Sequence, residues 1–199
     1  MANSHDGGNR GASDAVPLLN IANVLTIVRL ILVPVFVVVY WDPTPGRTWW
    51  AFAIFVVAAV TDKLDGHFAR SRGLITDFGK IADSIADKAL IISALVLLSL
   101  HGIVWWWVTI VFIVREVAIM ALKTRLVMAA GMGGKIKMAA QSAGIALLLV
   151  PWASFLPMGA ARIVIWAGYV LIGIALVFAI TSAFGYVKAA GELLKRRKA

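Results

Sequence analysis

The chain has 199 residues, of which 61% are hydrophobic and only 15% are charged, and its mean hydropathy is +0.91. Soluble domains are nearer half apolar and a quarter charged, so this composition excludes a water-soluble globule and a disordered chain alike. In such an apolar chain the net charge of +9 indicates basic cytoplasmic loops, and it indicates anionic membrane lipids as partners instead of nucleic acid. The chain has no cysteine, which excludes disulfides and thiolate sites.

The predicted elements begin after a polar segment of small residues, 1–17, which we expect to be a disordered cytoplasmic tail. Six apolar stretches follow, and a helix needs about 20 residues to cross a bilayer. The stretches cover about 25–41, 49–60 with a charged helical end to 70, 86–100, 103–122, 138–155 and 163–186. Open sheet edges are excluded from lipid, so the prediction is an all-α integral membrane protein with six transmembrane helices.

The predicted membrane domain covers residues 18–188 and is followed by a basic C-terminal tail, 189–199. The glycine-rich run at 131–134 predicts a flexible turn between spans four and five. Lys and Arg concentrate in the 2–3 and 4–5 connections and at the C-terminus, whereas tryptophans cluster at the opposite ends of the spans. By the positive-inside rule, this predicts a multi-pass protein of the cytoplasmic membrane with both termini inside.

Five of the ten acidic residues lie in one short stretch between spans two and three. Asp62 and Asp65 are three apart, and Asp83 and Asp87 are four apart, so each pair lies on one helix face. The short connection predicts that the two helices are antiparallel neighbours with facing pairs. A cation would relieve the repulsion among four carboxylates, and oxygen-only ligands favour Mg²⁺ or Mn²⁺ over zinc. Two such ions are the usual arrangement for catalysing attack at phosphorus. The planar guanidinium of Arg70 could donate two parallel hydrogen bonds to a phosphate.

This stretch resembles the signature of the CDP-alcohol phosphotransferase family, D-x2-D-G-x2-A-R-x8-G-x3-D-x3-D. All eight fixed positions are present without a gap: Asp62, Asp65, Gly66, Ala69, Arg70, Gly79, Asp83 and Asp87. NIANVLTIVRLILVPVF (20–36) and DFGKIADSIADKAL (77–90) resemble the branch that makes phosphatidylglycerol phosphate. Ala22 and Ser84 stand where that branch usually has proline. The resemblance implies a six-helix bundle of the CDP-alcohol phosphotransferase type.

The resemblance implies that the hydroxyl of sn-glycerol 3-phosphate attacks the β-phosphorus of CDP-diacylglycerol, giving phosphatidylglycerol phosphate and CMP. Asp87 would be the general base, and the four aspartates would hold two Mg²⁺ or Mn²⁺ ions. The family pattern places the CDP-diacylglycerol contacts at Asn23, Val24, Leu25, Thr26, Asp65, Gly66, Ala69, Arg70, Thr76 and Gly79. The family also implies a homodimer.

The phosphate of the acceptor would need cations, and basic residues flank the cytoplasmic ends of spans four and five. The candidates are Arg115, Lys123, Arg125, Lys135 and Lys137. The alternative for the three lysines is a charge that faces lipid headgroups and sets the topology. Arg115 lies deep in its span and needs a partner, but adjacent Glu116 is expected to point about 100° away. Arg29 in span one is either a further ligand-binding residue or a side chain that snorkels to the headgroups.

Three alternatives stay open at this point. The motif does not separate the acceptors of sibling enzymes, which include inositol phosphate, serine and, in cardiolipin synthases, phosphatidylglycerol. A cation channel would need polar groups through the membrane depth, whereas spans three, five and six have almost none there. A structural membrane module without catalysis would tolerate loss of the Asp87 carboxylate. Acyl-chain preference, the choice between Mg²⁺ and Mn²⁺, and the dimer interface are not encoded in any of these patterns.

Overall fold

The structure is a computed structural model that describes residues 21–72, 77–125 and 132–196, with side chains described for 24–62, 85–120 and 133–184. The predicted tail, residues 1–17, lies outside these ranges. Six α-helices make up nearly all of the described chain, which contains no strand. They are α1 Ile21–Tyr40, α2 Pro45–Arg72, α3 Asp77–Leu100, α4 Trp106–Arg125, α5 Met132–Leu149 and α6 Met158–Arg196, with a 3₁₀ turn at Trp152–Ser154 before α6.

The helices run alternately up and down, so their ends define two ends of the bundle. The carboxylate end contains the end of α2, the start of α3, the end of α4 and the start of α5. The tryptophan end contains the opposite termini and the exposed rings of Trp41, Trp49, Trp50, Trp105, Trp106 and Trp107. Exposed indole rings at one level of a bundle are typical of a membrane interface.

Packing places α1 against both α2 and α3, and pairs α5 with α6 along most of their common length. The inner face of α1 carries Phe36 and Tyr40, whose rings stack with centroids 6.0 Å apart, and Phe36 also meets Phe55 of α2. The predicted α2–α3 contact exists, and among the residues whose side chains are described each of these two helices packs more extensively on α1 than on the other. Helix α1 therefore supports both carboxylate-bearing helices.

The outside of the bundle is apolar, while several charged side chains are inside it. Ile31, Val38, Val57, Ile163 and Phe184 are each more than half exposed. In contrast, the charged or polar side chains of Arg29, Lys137, Glu116 and Gln141 are buried. This distribution is the reverse of that in a soluble protein and suits a bundle surrounded by lipid.

Two segments of the described chain have the length and hydropathy to cross a membrane by themselves, Gly133–Ser154 and Met158–Phe184, and Val24–Tyr40 is a shorter apolar helix.

Helix α3 ends at the predicted place, in a Schellman motif. Gly102 has φ +70, Ile103 N–H donates to Leu98 O at 2.9 Å, and Gly102 N–H donates to Ser99 O at 3.1 Å.

The prediction of a flexible turn at 131–134 was wrong for the part that is described. Helix α5 begins at Met132 instead of near 138, and Gly133 and Gly134 belong to its first turn. Helix α5 packs along α6, and a Cβ at Gly133 would lie 3.7 Å from Phe178 of α6, so this glycine lies beside α6 within a helix despite its low helix propensity. Helix α6 also continues beyond the predicted span end, to Arg196.

Gly144 of α5 and Gly168 of α6 let these two helices approach closely. A Cβ added at Gly144 would lie 3.1 Å from the carbonyl oxygen of Gly168 and 3.0 Å from Ile172 Cγ1. A Cβ added at Gly168 would lie 2.9 Å from Leu148 Cδ2. Small residues at a helix crossing let the two backbones approach each other. Close van der Waals packing then stabilises the pair in lipid, where the hydrophobic effect does not drive helices together.

Replacing Gly144 by alanine is expected to destabilise the bundle by about 1–3 kcal/mol, because the carbonyl of Gly168 is backbone and cannot turn aside. The matched control is Gly173→Ala on α6, where a Cβ meets nothing within 4 Å and alanine favours the helix. Thermal unfolding midpoints in detergent measure both variants. Equal midpoints for the two would contradict the close α5–α6 contact.

Candidate active site

The two described aspartates of the predicted metal set lie on different helices at the carboxylate end. Asp62 is on α2, and its side chain is 23% exposed. Asp87 is on α3, is partly buried and lies within electrostatic range of Asp62. The structure thus brings together one carboxylate from each predicted pair.

The backbone positions of Asp65 and Asp83 are helical, as the three- and four-residue spacings require. The side chains of Asp65 and Asp83 are not among those that the structure describes. For six further predicted site residues whose backbone is helical, the surroundings are likewise outside the described part: Asn23, Gly66, Ala69, Arg70, Gly79, and Arg125 of the acceptor set. Thr76 lies outside the described residues. Within the described residues, no group of three or more His, Cys, Asp or Glu could hold a metal. The four-aspartate site therefore stays a prediction, of which Asp62 and Asp87 are the described half.

Arg29 does not snorkel to the headgroups but is fully buried, with 0% exposure. Its Nη1 donates to Asp62 Oδ1 at 2.8 Å, which joins α1 to α2. Burying a guanidinium is costly unless it is paired with an anion, so this ion pair fixes both partners. The sequence identified Arg29 as a candidate but could not show that its partner is a residue of the predicted metal site.

The predicted nucleotide-contacting stretch at the start of α1 divides between two faces. Thr26 is buried and lies one turn before Arg29, on the inner face of the helix. Leu25 is half-buried, and Val24 is exposed at 44%. Thr26 is therefore the described member of this stretch that faces the site.

A second polar cluster lies at the carboxylate end, where α4, α5 and α6 meet. We call Arg115, Glu116, Lys137 and Ser182 the basic cluster. Arg115 Nη1 donates to Glu116 Oε1 at 2.9 Å, and Arg115 Nη2 donates to Ser182 Oγ at 3.0 Å. Lys137 Nζ donates a short hydrogen bond to the same Glu116 oxygen and lies 5.7 Å from the centre of the Phe112 ring.

The expectation that Glu116 points away from Arg115 was wrong. The Cα–Cβ directions of neighbouring residues do diverge by about 100°, but the arginine stem is long enough to curve back. Lys137 is only 3% exposed, so a predicted acceptor residue is indeed inside the protein. Lys135, by contrast, is exposed and belongs to the outer surface at the start of α5.

Sequence reasoning dismissed Glu116 as a partner of Arg115, and it missed Ser182 and Gln141. Gln141 lies one turn after Lys137 and is 1% exposed, and among the described residues its Nε2 has no hydrogen-bond acceptor. Lys137 and Gln141 are four residues apart, so they lie on one face of an otherwise apolar span. This spacing is the signal that could have identified the two residues together.

The charges of the two clusters influence each other. Asp87 lies within electrostatic range of Lys137 and Glu116 as well as of Asp62. Carboxylate oxygens from α2 and α3 suit hard divalent ions, and buried guanidinium and ammonium groups suit a phosphate. This end of the bundle can therefore place an anion beside a carboxylate that is able to accept a proton.

Comparison with known proteins identifies the family that this arrangement serves. The profile of the CDP-alcohol phosphatidyltransferase family matches residues 19–181, which is most of the chain. The chain belongs to this family. The sequence-based recognition is confirmed, and with it the membrane-embedded helical fold and an enzyme of the transferase class in phospholipid biosynthesis.

Several relatives within the CDP-alcohol phosphatidyltransferase family are similar over most of their length. A probable phosphatidylglycerophosphate synthase of Mycobacterium tuberculosis strain H37Rv is 39% identical over 163 residues, covering 78% of this chain and 77% of the relative. A CDP-diacylglycerol–glycerol-3-phosphate 3-phosphatidyltransferase of Escherichia coli K12 is 39% identical over 184 residues, covering 86% and 94%. A Bacillus subtilis protein of the same name is 34% identical over 150 residues, covering 67% and 78%.

Proposed function

We propose that this chain transfers the phosphatidyl group of CDP-diacylglycerol to sn-glycerol 3-phosphate and releases CMP. The observation that carries the proposal is the position of Asp87, which lies within electrostatic range of both Asp62 and buried Lys137. A carboxylate beside buried cations suits an acceptor that has both a hydroxyl and a phosphate. The names of the relatives specify glycerol 3-phosphate as the acceptor of those proteins.

In the proposed reaction the acceptor hydroxyl oxygen forms a bond to the β-phosphorus of CDP-diacylglycerol. The bond from that phosphorus to the oxygen bridging it to CMP breaks, and CMP leaves with the electron pair. Asp87 accepts the proton of the attacking hydroxyl. Phosphoryl-group transfer depends mainly on positioning and charge neutralisation, which are the contributions that the two clusters can make.

We further propose that Asp62, Asp65, Asp83 and Asp87 hold two Mg²⁺ or Mn²⁺ ions. When bound, such ions neutralise diphosphate charge and make a nearby hydroxyl more acidic. The oxygen chemistry of Asp62 and Asp87 fits these ions. Arg29 fixes one oxygen of Asp62 through its hydrogen bond, so that carboxylate meets a cation in one defined orientation.

The donor substrate would be held at the carboxylate end, near the membrane surface. Arg70, Gly66 and Thr76 are proposed to contact the cytidine diphosphate, together with the inner face of α1 at Thr26. The acyl chains would remain in lipid. The distribution of Lys and Arg supports a cytoplasmic position for this end and for both termini, and a homodimer and contacts with anionic lipids are further proposals.

The test is an assay of the purified protein with CDP-diacylglycerol, a divalent ion and one acceptor at a time. The acceptors are sn-glycerol 3-phosphate, inositol phosphate, serine and phosphatidylglycerol, and lipid product and CMP are both measured. We expect phosphatidylglycerol phosphate with the first acceptor, and no product when the divalent ion is chelated. Product with inositol phosphate alone would overturn the acceptor assignment, and no product with any acceptor would overturn the proposed activity.

A further inference from the structure

We propose that Glu116 is a positioning residue that holds Arg115 and Lys137 so that their remaining N–H groups bind the phosphate of the acceptor. The proposal rests on the proposed function. It assigns a role to a carboxylate that is neither part of the metal motif nor one of the basic candidates. Glu116 acts through its two cationic neighbours and does not itself touch a reacting atom.

The geometry supports this role because a single oxygen connects residues from two helices. Glu116 Oε1 accepts hydrogen bonds from Arg115 Nη1 on α4 and from Lys137 Nζ on α5. The other terminal nitrogen of Arg115 is fixed by Ser182 of α6. The orientation of the guanidinium is therefore set from two sides, and the ammonium is held against the same carboxylate.

The cluster keeps unused donors and a net positive charge. Among the described residues, Arg115 Nε has no hydrogen-bond acceptor, and an ammonium has three N–H groups, of which Glu116 takes one. Two cations and one carboxylate leave one positive charge on the cluster, and the nearby charges of Asp87 and Lys88 offset each other. A phosphate is the kind of ligand that satisfies such donors and that charge.

Glu116 is also what allows Lys137 to remain inside. An ammonium that is only 3% exposed is costly without a carboxylate partner, and two cations side by side repel each other. Without the Glu116 carboxylate, Lys137 would move towards water or give up its proton. In either case it would present fewer donors to a phosphate at this place.

The test compares Glu116→Gln and Glu116→Asp with Asp42→Asn, which alters a carboxylate at the tryptophan end that pairs with exposed Arg47. In Glu116→Gln we expect the KM for sn-glycerol 3-phosphate to rise ~10-fold or more, with the KM for CDP-diacylglycerol unchanged and kcat altered much less. Glu116→Asp keeps the charge on a shorter stem and should restore part of the loss. Asp42→Asn should resemble the wild type.

Calorimetric titration with sn-glycerol 3-phosphate supplies a readout that needs no turnover. The dissociation constant should increase in Glu116→Gln as the KM does, and in Lys137→Met the additional Glu116→Gln change should have a smaller effect than in the wild type, because only Arg115 is then left for the carboxylate to hold. If Glu116→Gln binds sn-glycerol 3-phosphate more weakly than the wild type, but the wild type transfers the phosphatidyl group to a different acceptor, the result would support this inference and count against the proposed function. A lower KM in Glu116→Gln would overturn the inference, because it would mean that the carboxylate competes with the phosphate. A uniform loss of kcat and stability with an unchanged KM would also overturn it, in favour of a structural role.

Discussion

Asp87→Asn is expected to lower kcat for phosphatidyl transfer about a thousandfold or more. The amide has almost the same shape as the carboxylate, but it cannot accept the proton of the attacking hydroxyl, and it is a weaker ligand for a divalent ion. Since Asp87 lies within electrostatic range of Asp62 and Lys137, the change also alters the charge balance between the two clusters. CMP release from CDP-diacylglycerol in the presence of sn-glycerol 3-phosphate measures the effect.

The control for this experiment is Asp42→Asn, which removes a carboxylate from the opposite end of the bundle. It should leave kcat unchanged, and binding of CDP-diacylglycerol to Asp87→Asn should partly survive. Unfolding midpoints of both variants show whether the bundle is intact. Turnover by Asp87→Asn within about tenfold of the wild type would contradict the role of general base.

Arg29→Met is expected to destabilise the protein by about 3 kcal/mol and to reduce turnover roughly a hundredfold. The change removes a fully buried guanidinium and leaves the carboxylate of Asp62, which is 23% exposed, without this partner. Loss of the hydrogen bond from Arg29 Nη1 to Asp62 Oδ1 affects both the α1–α2 contact and the orientation of the proposed metal ligand. Unfolding in detergent and steady-state kinetics give the two measurements.

The matched control is Arg47→Met, because Arg47 also pairs with an aspartate, at 3.3 Å, but both partners are more than half exposed. Exposed ion pairs contribute little, so this variant should remain close to the wild type. Adding Asp62→Asn to Arg29→Met should recover part of the stability without recovering activity. If Arg29→Met and Arg47→Met behave alike, the buried pair has no special role.

The number of helices and the spacing of the acidic motif could be predicted because hydrophobic length and helical periodicity are local properties. The spans, the presence of both carboxylate pairs on helices and the turn at Gly102 follow from the chain itself. The partner of Arg29 could not be found in this way. Thr26 and Arg29 mark one face of α1 as polar, but the sequence of α1 does not indicate which residue of another helix pairs with that face.

The errors at Gly133 and Glu116 have a related cause. The low helix propensity of Gly133 was a local signal, whereas in the structure Gly133 belongs to α5, which packs along α6. Glu116 was judged from the directions in which neighbouring side chains leave a helix, but side-chain length and the arrival of Lys137 from α5 decide its contacts. Tertiary packing was absent from both predictions.

Polar contacts fasten the tryptophan end of the bundle across several helices. Tyr169 Oη donates to Ile103 O at 2.9 Å, His101 Nε2 lies 3.1 Å from Tyr40 O, and Ser99 shares a buried hydrogen bond with Thr109. These bonds tie α3 and the turn after it to α1, α4 and α6. If the helices separate to admit a two-chained lipid, we expect the separation to begin at the opposite end, where Asp62 and Asp87 lie, because separation at the tryptophan end would have to break these hydrogen bonds.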